Sequence, residues 1–579
     1  MLRTQRATAF LLRALMAGTA ATVLTASAAC LVGCQDESQP EYWVDKLDDT
    51  SWRARAIKQL DQFYEDAVTR AGQSQDSPEL KALVEKIVVP LNKTYVEQYE
   101  SLDDKSRERL IKLLASVRDP RTEPALTKAM SEFAEKGRGG EDLKWAARAV
   151  ADMKMSSAAD ELLGAFMKLR ADSEEGGPVY RDLNASMLKM ADKSWTKPLI
   201  EKLDATLEMP KGTGEENKLK ITEFRNQQFW QTTSAQLLGA IGDPAAVDAL
   251  LKVLLDPAKA NLHADSVISL VKIGKPAVVR ASQLLKGDDK ALVDFGALKA
   301  RKAAGLPTTS DAPHVATAAI VLGTLGHASA APALISALEQ PQTEANKAVI
   351  LRELAKLPSS PDVEKAFQAG FVTLESDAVI PPGQPALQVL AESATSFFEP
   401  EFVPWLLQRA AATKDDEDVR SGLLVAAIKL MMPEQVAAVG SAIDKYGSEL
   451  EKGVFTEAAG LVKSCGKGVP CYLDAATKSQ NQADKMQFVG IKAAYMVGVL
   501  GNEKARDDLA AGIDPISNAA VRFTAAKVID HLSPKGSVAV ADSLQKLVDT
   551  NVKRGDPDKI AGDAPLKQVI YRLRSRAES

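Results

Sequence analysis

The chain has 579 residues, 45% hydrophobic and 26% charged, with a formal net charge of −5. That balance excludes a disordered or collagen-like chain, and its acidic sign gives no basic field for a nucleic-acid backbone. The length exceeds what one hydrophobic core fills, about 250–300 residues, so several domains or one long array are required.

In chain order, Arg3 and Arg6 come first, then Phe10, Leu11, Leu12 and Arg13, then an uncharged run from Ala14 to Gly33. This is the layout of a secretory signal peptide. The run ends in Leu31-Val32-Gly33-Cys34, and the chain turns polar at Gln35-Asp36-Glu37-Ser38. That tetrapeptide resembles the bacterial lipobox. The resemblance implies a signal peptide over 1–33, cleavage before Cys34, diacylglycerol on its sulfur and a short polar tether over 34–40. Residues 1–33 hold three arginines and no acid, so the mature chain would carry −8. Several acyl chains would hold it firmly, each buried CH₂ contributing about 0.8 kcal/mol. In proteobacterial lipoproteins an Asp after the cysteine retains the protein in the inner membrane; Gln35 in that place implies the outer membrane, with the body in the periplasm or at the cell surface. Two other readings of these residues stay open. A run of 20 uncharged residues just spans a bilayer as an uncleaved helix, and a plain signal peptide would be cut near Ala29.

From Glu41 onward the pattern is helix, short turn, helix, repeatedly. Aromatics are only 5%, and Ala, Leu, Lys and Glu dominate, residues that lose little side-chain entropy in a helix. A junction motif returns: Leu238-Gly239-Ala240-Ile241-Gly242-Asp243-Pro244, Leu322-Gly323-Thr324-Leu325-Gly326-His327 and Val497-Gly498-Val499-Leu500-Gly501-Asn502, with a fainter copy at Val117-Arg118-Asp119-Pro120. In the first three a glycine can close one helix in the left-handed conformation, and in all but the His327 copy Asp or Asn caps the next. Pro244 and Pro120 fall where a missing N–H is harmless. The intervening helices carry one apolar face each, such as Trp230, Ser234, Leu237, Leu238 and Ile241, or Val315, Ala319, Leu322 and Leu325, or Val521, Ala525, Val528 and Leu532. Two-residue alternation is nearly absent, so no sheet is expected.

Fourteen helix pairs start between about 41 and 535, a mean spacing of about 38 residues, the period of a solenoid of helical hairpins. The junctions resemble bacterial HEAT-like repeats, with Asp243-Pro244 through Leu250-Leu251 the best unit. The expected fold is all-α, an α-solenoid of about 12–14 HEAT-like hairpins over 41–579. Armadillo-like units are the neighbouring reading, and no tetratricopeptide signature is present. Polar inserts are expected at 211–218 and 287–311, with an interruption at Arg138-Gly139-Gly140.

Chemistry-bearing motifs are few. His263, His314, His327 and His531 are not at metal-ligand spacing, and no HExxH, nucleophile elbow, Walker loop or EF-hand is present. His327 stands where Asp243 stands in the sister junction and reads as a cap. Asp415-Asp416-Glu417-Asp418 precedes an apolar helix and complements its positive end. Cys465 and Cys471 bracket Gly466-Lys467-Gly468-Val469-Pro470. In an oxidising compartment they read as a disulfide clip contributing about 2 kcal/mol, with free thiols the alternative. Phe397, Phe398, Phe402 and Trp405 surround Glu399-Pro400, either a packed turn or an exposed anchor for a partner. Trp145, Trp195 and Trp230 read as core.

No catalytic residue, metal or cofactor is expected, so the chain reads as a non-enzymatic scaffold that binds an unidentified protein or peptide. In HEAT-like solenoids the second helices line the concave face, which makes Lys144, Arg148, Arg352 and Arg420 candidate contacts, with Phe398 and Trp405 as aromatic anchors. A structural spacer of the envelope is the alternative. Some HEAT-like proteins act as lyases on bilin chromophores, but this chain offers no lone reactive cysteine for that chemistry.

Overall fold

The computed structural model describes residues 36–170, 176–208, 210–212, 214–305, 312–381, 383–478, 484–555 and 557–577. Cys34 and the leader lie outside them. Among the described residues the chain is all-α, apart from a two-residue antiparallel ladder of Val379–Ile380 with Gln384–Pro385. This small hairpin differs from the expectation of no sheet. It joins helix Pro361–Thr373 to helix Ala386–Ser393. No described helix is long and apolar enough to cross a membrane.

The junction chemistry works locally. Gly242 (φ 71°) closes helix Glu215–Ile241, its N–H donating to Leu238 O at 3.1 Å, and Asp243 Oδ1 accepts from Ala245 N at 3.0 Å to start the next turn. Asn502 caps helix Glu503–Ala511 in the same way, accepting from Ala505 N at 3.2 Å. Asp416 caps Glu417–Leu430, accepting from Val419 N at 2.9 Å. Each satisfies a helix N–H that has no partner of its own. Of the expected inserts, 211–218 is half helix, since Glu215–Ile241 begins inside it. The 287–311 stretch holds a full helix, Lys290–Ala304, capped by Asp289 and packed on Val247–Leu255. The insert thus carries an added helix; residues 306–311 lie outside the described set.

The chain divides into two compact units at Ala125/Leu126. In the first, helices Arg53–Arg70, Pro78–Glu97 and Asp104–Val117 pack mutually. Its buried Arg53 is satisfied by Leu47 O at 2.8 Å and Ser101 Oγ at 3.0 Å, as a buried cation requires.

In the second unit the second helices of successive hairpins form one continuous row. It runs through Gly140–Met153, Gly176–Met190, Glu215–Ile241, His263–Ile273, Pro313–Leu325, Glu344–Leu354, Ala386–Ser393, Glu417–Leu430, Glu449–Cys465, Asp484–Leu500 and Ala519–His531, and ends at Ala564–Ala577. Each packs on the next, so each apolar stripe is covered by its neighbour. The row then returns on itself: the last helix, Ala564–Ala577, packs on His263–Ile273. In this unit the chain's own end therefore packs against a second helix about 300 residues earlier.

The return is specific. Ser575 Oγ lies 2.8 Å from His327 Nε2, and Arg572 Nη2 donates to Lys356 O at 3.1 Å. Gly326 (φ 66°) lies so near the Arg572 guanidinium that a methyl there would collide with it, and a Cβ on Gly274 would come 2.8 Å from Ser575 Oγ. The junction glycines thus close helices and also admit the returning helix.

Candidate functional site

Two concavities of the second unit bring functional groups together. The first is a groove of about 870 Å³ over consecutive repeats, floored by Ala331, Ile335, Leu338, Leu351, Ala366 and Gly370. Its origin is a length mismatch. Helix Ala331–Leu338 has eight residues and its neighbour Pro361–Thr373 thirteen, or about 12 against 20 Å at 1.5 Å per residue. The shorter helix leaves the flank of the longer one uncovered, with Ala369 exposed and Val372 52% exposed. Charges stand at the rim: Lys347, paired with Glu344 at 2.5 Å, and Asp362, Lys365 and Glu339.

The second concavity, about 370 Å³, lies where helices Glu344–Leu354, Ala386–Ser393, Ala519–His531 and Ala564–Ala577 meet. Its walls carry Arg352, Lys356, Lys527 and Arg572 with Glu392 and Asp530. A smaller recess of about 90 Å³ shares Lys356, Ser396, Lys527, Asp530 and Arg572 and adds His531 and Arg576. Glu353, fully buried, is held by Arg352 at 2.7 Å and Lys356 at 2.6 Å. Asp530 is held by Arg572 at 3.0 Å and Arg576 at 2.8 Å. The ammonium groups of Lys527 and Lys429 make no ion pair or hydrogen bond among the described residues. Their ammonium groups lie instead over aromatic rings, Lys527 4.7 Å from the Phe523 centroid and Lys429 5.8 Å from that of Tyr495.

These surroundings act on the protons. Burial lowers the pKa of Lys527, Glu392 opposes this, and the nearby charges of Lys429 and Lys356 lower it further. Burial likewise lowers Lys429 against the pull of Glu392. Arg572 comes down to about 10, chiefly by burial. His531, stacked 4.4 Å from the Phe398 ring, is brought to about 4 by burial, with Asp530 opposing. His327 falls to about 4 by burial, reinforced by Arg576, Arg572 and Lys275. Behind this wall Lys492 is fully buried and donates to Lys429 O at 2.9 Å and Met431 O at 2.7 Å.

The residues singled out from sequence fall in different places. Lys144 and Arg148 share Asp182, at 3.4 and 3.3 Å. Arg420 is tied to its own loop through Thr413 O and Lys414 O, both at 3.3 Å. Arg352 lines the second concavity. Trp195 and Trp230 are core, while Trp145 is only half-buried, with the Arg148 guanidinium 4.9 Å from its ring. Half-buried Trp405 packs on Phe371 at 5.3 Å and Phe402 at 5.7 Å, and Phe397 joins Phe402 at 4.9 Å. Phe398 is buried, in a left-handed backbone conformation (φ 57°), its ring against Gly498, Tyr495 and His531. A ring enclosed in this way is no exposed anchor, which corrects that reading. His327 makes no capping bond; its ring is used in the contact with Ser575 instead. Cys465 and Cys471 are joined by a disulfide across the turn between Glu449–Cys465 and Val469–Thr477, Cα to Cα 5.5 Å. Among the described residues no group of His, Cys, Asp and Glu is disposed to hold a metal ion. The cationic cavity gave no sequence signal, because its walls come from four helices spread over more than 200 residues.

Residues 231–256 and 316–340 match the family model described as PBS lyase HEAT-like repeat. No curated protein matches the chain. Among solved structures, the karyopherin Kap121p bound to the extreme C-terminus of the protein phosphatase Cdc14p is 11% identical, over 92% of this chain and 70% of that one, with a TM-score of 0.35. Kap121p bound to the SUMO protease Ulp1p is 13% identical, over 94% of this chain and 68% of that one, with a TM-score of 0.19. The class defined by the helix order and packing is the α-solenoid. The particular repeats, at the two matched segments, are HEAT-like.

Proposed function

We propose that this protein is a scaffold that binds a protein partner through its solenoid surface, tethered to a bacterial envelope membrane by lipid on Cys34. The observation that carries the binding reading is the groove beside Ala331–Leu338, an apolar-floored, half-buried concavity where a uniformly polar surface would fit a spacer. Its occupant is an amphipathic helix of the partner, taking the place left by the short repeat helix, with an apolar stripe on Ile335 and Ala366 and its charges at the rim. The chain acts by binding and not by catalysis. The tether reading rests on the basic start, the apolar run and Leu31-Val32-Gly33-Cys34, and places the body in the periplasm or at the cell surface, with the outer membrane favoured.

Two experiments test these readings separately. Crosslinking in native envelopes with a photoreactive residue at Ala369 should yield a discrete adduct, and Ile335→Arg should abolish it without changing the thermal unfolding profile. An adduct that survives Ile335→Arg, or none at all, removes the groove from the function. Independently, Cys34→Ala should move the protein from the membrane to the soluble fraction, and unchanged membrane retention would refute lipidation.

A further inference from the structure

The second cavity carries an excess of positive charge. Six cations line it or the adjoining recess, or act on Lys527: Arg352, Lys356, Lys429, Lys527, Arg572 and Arg576. They face three carboxylates, Glu353, Glu392 and Asp530, which leaves three formal positive charges in excess. Glu353 and Asp530 are already engaged by arginine and lysine. Glu392 is exposed and makes no ion pair with either free ammonium among the described residues. Lys527, half-buried over the Phe523 ring, therefore presents a charge without an ion-pair partner to a partly open cavity, with Arg572 beside it. Arg572 is only 8% exposed and its Nε has no hydrogen-bond partner. Buried unpaired cations oppose folding, and a chain retains such a cluster where a ligand supplies the missing charge. The volume falls within the small-molecule range of about 300–1,000 Å³.

We propose that the cavity between helices Glu344–Leu354, Ala386–Ser393, Ala519–His531 and Ala564–Ala577 is a binding site for a phosphate-bearing molecule, with Lys527, Lys356 and Arg572 as its principal contacts. Phosphate suits this set better than a single carboxylate. A phosphate carries about −1.5 to −2 and three acceptor oxygens, and a diphosphate group approaches the three excess charges. Arginine recognises such a group through its planar fork and lysine as a point charge. The site is distinct from the groove at Ala331–Leu338 and does not depend on the partner-binding reading.

The test uses inorganic phosphate, inorganic pyrophosphate and phosphatidic-acid vesicles as separate probes on the full-length protein. Binding is followed by calorimetry and by the thermal unfolding midpoint. Pyrophosphate should bind saturably and raise the midpoint. Lys527→Gln should weaken it at least tenfold while raising the midpoint of the unliganded protein, because the variant removes a half-buried charge that no ion pair compensates. The raised midpoint shows that the variant folds, and Lys356→Gln provides an independent second loss. Saturation in the vesicle arm alone assigns the phosphate to a lipid headgroup, and in the soluble arms to a free metabolite. The proposal is overturned if no probe saturates, or if Lys527→Gln binds as tightly as the parent.

Discussion

Gly326 shows how one residue can serve two purposes at once. With φ at 66° it closes helix Pro313–Leu325, and its missing side chain leaves room for the Arg572 guanidinium. Gly305 has the same φ, 66°, closes Lys290–Ala304, and has nothing near its would-be Cβ. Gly305→Ala should therefore cost only the left-handed strain, about 1 kcal/mol, and Gly326→Ala a further 2 kcal/mol or so for displacing Arg572. Urea midpoints measure both, and equal losses would mean that the Arg572 contact contributes nothing. His327 is read through protons. Its folded pKa is about 4 and its unfolded one near 6.5. Between those values the unfolded chain binds a proton that the folded one refuses, so stability falls as pH drops through that window. Relative to His327→Gln, whose carboxylates titrate alike, the parent should lose about 3 kcal/mol between pH 7 and pH 4, its 5%-exposed ring being little screened. Identical pH profiles would place that ring in contact with water. The closing role of the junction glycine was legible in the sequence, because capping is local. The tertiary use of Gly326, and the diversion of His327 from a cap to Ser575, were not, since the partners lie about 250 residues away.

At the scale of elements, the helices were legible because their apolar positions recur every three to four residues and their ends carry Gly, Asp, Asn and Pro. Inside the insert expected at 287–311, Asp289 and Gly305 cap a full helix, whose packing on Val247–Leu255 no local motif announces. Packing between the last elements depends on a buried network that no motif announces. Arg522 is 2% exposed and Asp563 1%; Arg522 Nε donates to Asp563 Oδ1 at 3.1 Å and Nη1 to Ile513 O at 2.7 Å, while Asn551 Nδ2 donates to Asp563 Oδ2 at 2.9 Å. This ties Ala519–His531 and Val538–Arg554 to the entry of the last helix. Asp563→Ala leaves the guanidinium buried beside carbonyls alone and should cost about 3–5 kcal/mol. Replacing both partners, as in Arg522→Met with Asp563→Leu, should cost markedly less. Unfolding curves of Arg522→Met, Asp563→Leu and the double variant, beside Asp563→Ala, decide this, and additive losses would show that the two residues act independently.

For the second unit as a whole, the consequential contact is the one between its last helix and His263–Ile273. In an open solenoid, stability is a sum of repeat and nearest-neighbour terms, so damage at one end stays near that end. Here the row of second helices comes back on itself, and Ser575, Arg572 and Tyr571 meet groups on three earlier repeats; Lys272 Nζ lies 4.6 Å from the Tyr571 ring centroid. Repeats far apart in sequence therefore become neighbours in energy. Ile570, fully buried on the last helix, is the place to test this. Ile570→Asp puts a charge into that core and should release Ala564–Ala577 from its seat. Hydrogen exchange should then speed up in Ala519–His531, which any solenoid would show, and also in His263–Ile273 and at the Gly326–His327 junction, which only a returning row would. If protection in His263–Ile273 is unchanged while the last helix exchanges freely, the contact is present but does not couple the repeats. The cationic cavity shares the same wall, since Arg572 and Val569 belong to the released helix. Pyrophosphate should accordingly slow exchange in His263–Ile273 of the parent and leave Ile570→Asp unaffected, because a ligand stabilises only the state that assembles its site.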